Sequence, residues 1–168
     1  CVKATQALKM TLFERGYVTA WLLYQESAAG NQAAVALMLQ SGEGRRVVND
    51  AYDSTCLYTA LHAAACHGHI GMCRLLIANG ATVDCKDSCE ETPLHMALQK
   101  KQFALAKELV RLGASLSCRN RHGDNALAML TTLNKSELKQ KLIAISREAP
   151  GQENEAPEGN VNYGLSCL

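Results

Sequence analysis

At 168 residues, with 48% hydrophobic but only 5% aromatic side chains, the chain has room for one modest core built mostly from Ala and Leu. That composition suits short packed helices better than a sheet rich in Val, Tyr and Phe. A net charge of +1 without a Lys/Arg stripe argues against bulk electrostatic binding of nucleic acid, and no apolar run reaches the ~18 residues of a membrane span.

The chain opens on Cys1 rather than Met, so the expectation is a segment cut from a longer protein. Lys3, Lys9, Glu14 and Arg15 interrupt the first apolar stretch, unlike a signal peptide. Ala4, Leu8, Leu12 and Phe13 fall at helical spacing, which predicts a helix in 1–15 or the end of an upstream domain. Gly30 and Gly42 then bracket two helices near 20–29 and 32–40, the first carrying Trp21-Leu22-Leu23-Tyr24. A long connection from Gly44 to Thr55 follows.

A clearer unit starts at Thr59-Ala60-Leu61-His62-Ala63-Ala64. Thr59 suits an N-cap, Leu61, Ala64 and Ala65 follow at helical spacing, and Gly68 stops the helix. A second helix, predicted from about Ile70 to Ala78, presents Met72, Cys73, Leu75 and Leu76 on its apolar face. Gly80 ends it, and Ala81-Thr82-Val83-Asp84 leads to a polar turn around Asp87. These landmarks return 33 residues later as Thr92-Pro93-Leu94-His95-Met96-Ala97, with Pro93 at the first helical position, while Asn79-Gly80-Ala81 becomes Leu112-Gly113-Ala114. A further 33 residues reach Asn125-Ala126-Leu127-Ala128, and a final helix carries Leu138, Leu142, Ile143 and Ile145 among lysines. From Arg147 onward one base faces four acids, which sets the tail at −3 and the body before it at +4. With Pro150, Pro157 and several Gly, Asn and Glu, 147–168 is predicted to be a disordered acidic tail.

These motifs resemble the ankyrin-repeat family, which shares the 33-residue period and the T-P-L-H-x-A signature. Gly68-His69 and Leu75-Leu76 also fit its pattern. The match is close across 54–118 and partial on either side. The resemblance implies an all-α solenoid of stacked helix–turn–helix units joined by short hairpin-like turns. The units would fill 16–146, at about 20–53, 54–86, 87–119 and 120–146. A lone helix pair cannot bury its apolar face, so stacked neighbours must supply the core. In this reading Thr59, Leu61, His62, Gly80, Thr92, Pro93, Leu94, His95 and Gly113 are structural. His62 and His95 would hydrogen-bond the Thr three residues earlier and the backbone of the adjacent unit. The matching Ala128 sits in the last unit, which has no following neighbour to bond. Leu57 and Glu90 replace the usual turn Gly, and Lys101-Gln102 replaces Gly-His, so strain is expected wherever φ stays positive.

Two cysteine–histidine groupings have zinc-ligand chemistry: Cys66-His67-Gly68-His69 with Cys73, and Cys85-x-x-x-Cys89 with Cys118-x-x-x-His122. The first is explained by the repeat. The second would need adjacent units, which stack about 8–10 Å apart, to bring four donors within about 2.0–2.3 Å of one ion. A Cys85–Cys118 disulfide meets the same obstacle. No phosphate loop, G-x-S-x-G elbow or H-E-x-x-H is present. The expectation is therefore no metal, no cofactor and no catalysis, with the cysteines reduced in a cytoplasmic or nuclear protein.

The resemblance implies a protein-binding scaffold or adaptor, expected to be monomeric. Its partner would meet the turn tips, Lys86, Asp87, Glu90 and Glu91 in one and Arg119, Asn120, Arg121 and His122 in the next. The helix edges would add Cys66, His67, Gln99 and Lys100. Leu57 and Tyr58, beside the long connection with Arg45, Arg46, Val47, Val48 and Tyr52, form a candidate added patch. The terminal Ser166-Cys167-Leu168 fits a Ser-x-hydrophobic-carboxylate end that could add a strand to a PDZ domain. The alternative is the ankyrin segment of a larger enzyme or regulator of GTPase-activating, phospholipase, kinase or ubiquitin-ligase type.

Overall fold

The computed structural model describes residues 19–148. The helix expected in 1–15, the tail from Ala149 and Ser166-Cys167-Leu168 lie outside the described residues. The described residues form nine helices: α1 (Ala20–Ala29), α2 (Gln32–Gln40), α3 (Gly42–Arg46), α4 (Ala60–His67), α5 (Ile70–Ala78), α6 (Pro93–Gln99), α7 (Phe103–Arg111), α8 (Ala126–Thr132) and α9 (Ser136–Glu148). They contain no strand, only an isolated antiparallel bridge between Arg119 and Asn125. Helices α1, α4, α6 and α8 pack one against the next as an inner row, and α2, α5, α7 and α9 form an outer row. One hydrophobic cluster runs unbroken from Leu22 to Leu142 through both rows. This is the all-α repeat solenoid that the sequence resembles.

Local chemistry sets each helix. The Thr19 hydroxyl accepts Leu22 N–H at 3.2 Å to start α1, and Asn125 Oδ1 accepts Ala128 N–H at 2.9 Å to start α8. Thr59 and Thr92 open α4 and α6 in capping boxes whose third helical residue is a histidine, and Pro93 adds its preset φ to α6. Gly68 closes α4 at φ 77°, and an added Cβ there would fall 2.8 Å from the Gln102 side chain of the next unit. The turn between paired helices therefore needs both a left-handed backbone and a close approach. Left-handed φ recurs even without glycine: Lys101 at 57° and Asn134 at 53° replace Gly68 in the later units. Leu57 at 56° and Glu90 at 58° do the same where the last unit has Gly123. The repeat imposes the conformation and these side chains bear the strain.

Two parts differ from the sequence expectation. The long connection is partly helical: Ser41 caps α3 by accepting Gly44 N–H at 3.1 Å, and a Cβ at Gly44 would sit 1.9 Å from Met38 O. The tail was expected from 147, but α9 continues through Arg147 and Glu148, with Arg147 in its last turn, where a cation suits the helix dipole.

Ser27 in α1 is fully buried and its hydroxyl has no hydrogen-bond partner. The matching place in α4 is taken by Ala65. Replacing an unsatisfied hydroxyl by a methyl removes a desolvation penalty, so Ser27→Ala should stabilise the fold by about 1 kcal/mol. Thermal melting followed by circular dichroism checks this, and a lower midpoint would contradict it.

Candidate interaction surface

Three turns project from the stack as fingers, near 52–58, 87–91 and 120–124. Each is closed by a backbone hydrogen bond: Tyr52 N–H to Tyr58 O at 2.9 Å, Asp87 N–H to Glu91 O at 3.0 Å and Asn120 N–H to Asp124 O at 3.0 Å. Neighbouring fingers are also bonded, Ser88 N–H to Cys56 O and Arg121 N–H to Cys89 O, both at 2.9 Å. The fingers thus form one continuous edge rather than independent loops.

His62 and His95 tie that edge to the helices. His62 Nδ1 accepts Thr59 N–H at 3.2 Å, and Nε2 lies 3.1 Å from Glu91 O in the next unit. Because Nδ1 faces an obligate donor, Nε2 must carry the proton and donate to the carbonyl. His95 repeats the arrangement with Thr92 N–H at 3.2 Å and Asp124 O at 3.2 Å. Each ring thus spans from the threonine three residues before it to a carbonyl of the adjacent unit.

Burial holds the His62 pKa below its ordinary 6.5. The unfolded chain then binds the proton more readily than the folded one, so this contribution is complete above about pH 6.5 and is lost as pH falls toward the folded value. The melting midpoint is expected to drop between pH 7.5 and pH 5.5, and less so in a His62→Gln variant. Parallel profiles for the two proteins would rule this out.

The candidate contact residues separate into two groups. Asp87 and Asn120 were expected on the finger tips, but both are buried. Asp87 Oδ1 accepts Cys89 and Glu91 N–H, each at 2.8 Å, and Asn120 Oδ1 accepts His122 and Asp124 N–H, each at 3.0 Å. They shape the fingers from inside, as Asp and Asn do in tight turns. The others face water to differing degrees. Lys86 Nζ bridges Glu90 Oε2 at 3.1 Å and Arg119 O at 3.2 Å. Arg119 Nη1 donates to Gly123 O at 2.7 Å, Arg121 donates to Ser88 O, and His122 is exposed beside them. Glu91 accepts from Gln99, while Lys100 is exposed at the end of α6. His67 is exposed and stacks on His69, ring centroids 6.0 Å apart.

The long connection is not wholly a surface patch. Val48 is buried and Val47 packs on the core, while Arg45 Nε donates to Leu39 O at 3.1 Å. Asn49 accepts Thr82 N–H at 2.7 Å and donates to Gly80 O at 2.8 Å, fastening the connection to the second unit. The sequence reading missed the pairing of Tyr24 with Tyr52, whose tilted rings have centroids 4.2 Å apart, and Asp53, which accepts Thr55 and Cys56 N–H at 2.7 Å each. An Asp followed two residues later by Thr in a turn could have flagged Asp53. No motif announces Tyr24.

Burial pushes the Cys73 thiol up to about 12 and Cys85 to about 11, so both stay protonated and act as small apolar groups. Cys85 Sγ lies 3.5 Å from the Thr59 hydroxyl and 3.7 Å from His62 Nδ1, inside the structural network. Among the described residues, no group of three or more His, Cys, Asp or Glu converges as a metal site would. No helix among them is long and apolar enough to cross a membrane.

Stacked helix pairs with a cross-bonded finger edge define a helical-repeat module. A family model for ankyrin repeats, in three copies, matches residues 23–120 and 61–150. The chain belongs to the ankyrin-repeat family. Ankyrin repeats are generally protein–protein interaction modules, and the fold is typically non-catalytic. No curated protein matches the chain.

Proposed function

We propose that this chain is a scaffold or adaptor module that holds a protein partner across its fingers and the adjoining ends of the inner helices. The observation that carries the reading is the finger-to-finger bonding through Ser88 and Arg121, which fixes the backbone under a row of non-repeating side chains. A surface ordered before binding loses little entropy on contact, which favours recognition. The module acts without chemistry of its own, and the use of Cys73 as a core residue fits a cytoplasmic or nuclear setting.

The test is capture of a partner by the purified chain, followed by cross-linking. Arg119→Glu with Arg121→Glu should abolish capture while circular dichroism stays unchanged. Ala78→Glu, on the exposed side of α5, should leave it intact. Equal capture by the three proteins would defeat the reading.

A further inference from the structure

The first finger differs from the other two in what it shows to water. Leu57 is 43% exposed and held at φ 56°, so a branched apolar residue is both strained and solvated. In the matching positions stand Glu90, which is polar, and Gly123, which bears no strain. Neither core packing nor backbone geometry favours Leu here. The same finger gathers three tyrosines: Tyr24 packed at a tilt against Tyr52, and half-buried Tyr58, whose ring lies 5.7 Å from His62 and whose carbonyl accepts Tyr52 N–H. Tyr side chains offer large contact area with few torsions to freeze, as at the centres of binding sites.

The acids of this finger come without a base of its own: 49–58 carries Asp50 and Asp53, while Arg45 and Arg46 stand upstream in the connection, where Arg45 Nε is engaged by Leu39 O. The Asp53 carboxylate is held ionised by Cys56 N–H, by Tyr52 and by Thr55. In the next finger, Glu90 and Glu91 outnumber Lys86, which is itself paired with Glu90. Only at the third finger do Arg119 and Arg121 reverse the sign.

We propose that the first finger anchors an extended protein segment carrying an arginine next to an aliphatic residue. The aliphatic side chain covers Leu57. The guanidinium lies against the tyrosine faces, with Asp50 and Asp53 as counter-charges, since it both stacks on aromatic rings and hydrogen-bonds carboxylates. This rests on the protein-binding reading above and assigns its anchor point and the chemistry of its partner.

The probe is a fluorescein-labelled mixture of short peptides, randomised except for a central Leu-Arg pair, compared with the same mixture carrying Leu-Glu. The full chain should retain the Leu-Arg mixture more strongly by about fivefold or more, a difference that shrinks in high salt. Leu57→Gly should lose that preference while its melting midpoint stays at or above the original, because glycine accepts this φ freely. Asp50→Lys, in an exposed position, should weaken the preference with the fold intact. Equal retention of the two mixtures, no retention of either, or full preference in Leu57→Gly overturns the proposal. Partner capture that depends on Arg119 and Arg121 but not on Leu57 would leave the protein-binding reading standing and remove this one.

Discussion

Leu94→Ala is expected to lower the unfolding free energy by about 3–4 kcal/mol, the largest effect of any single truncation discussed. Leu94 is completely buried at the start of α6, the inner helix that packs on both α4 and α8. Removing its branched end takes away buried apolar area and leaves a cavity that three helices must share. Core side chains of these three helices, among them Leu61, Leu98 and Leu130, are themselves fully buried and have little room to close in. In a linear stack, stability is roughly the sum of unit and interface terms, so damage to a central unit weakens two interfaces at once. For a domain whose total stability is about 5–15 kcal/mol, the loss is a sizeable fraction. Urea unfolding followed by far-ultraviolet circular dichroism measures it, and a loss under about 1 kcal/mol would mean that the stack repacks around the gap.

His95→Ala comes second, at about 2–4 kcal/mol, and works through a different mechanism. The ring satisfies Thr92 N–H with one nitrogen and Asp124 O with the other. Alanine leaves a buried donor at the mouth of α6 and a carbonyl in the next finger, each worth about 1–3 kcal/mol when unmet. Urea unfolding gives the energy, and amide exchange tests the mechanism: Thr92 should exchange faster in the variant. Unchanged exchange at Thr92 together with a small loss would show that water or the Thr92 hydroxyl replaces the ring.

Most of the frame was legible in the sequence because its signals are local and repeated. Thr59 and Thr92 as caps, Pro93 at the first turn and the Leu/Ala spacing of 60–78 each specify helix starts or faces, and the 33-residue step multiplies them. Even the strain at Leu57, Glu90 and Lys101 could be foreseen, since a repeat imposes one backbone on unlike residues. The rest lacked a second copy or depended on distance. The segment around α3 occurs once, so nothing revealed that Gly44 was needed for contact with Met38 O. Asp87 and Asn120 were misplaced because charge and polarity suggest solvent, whereas a tight turn draws a short polar side chain inward to its own backbone. The Tyr24–Tyr52 ring contact joins a helix to a connection with no sequence pattern linking them.

Asn49 has a further consequence for how the molecule comes apart. Its bonds to Gly80 and Thr82 act as a latch, and Asp84 fastens Ser115 in the same manner one step along. The counterpart one step further, Ser117, turns back on Ser115. The latches therefore run out toward the carboxyl-terminal helices, so the array should fray from α9 inward. Deuterium uptake should rise first in 126–148 and last around Thr82, so a partner seated on the first two fingers would stay held while the far end breathes.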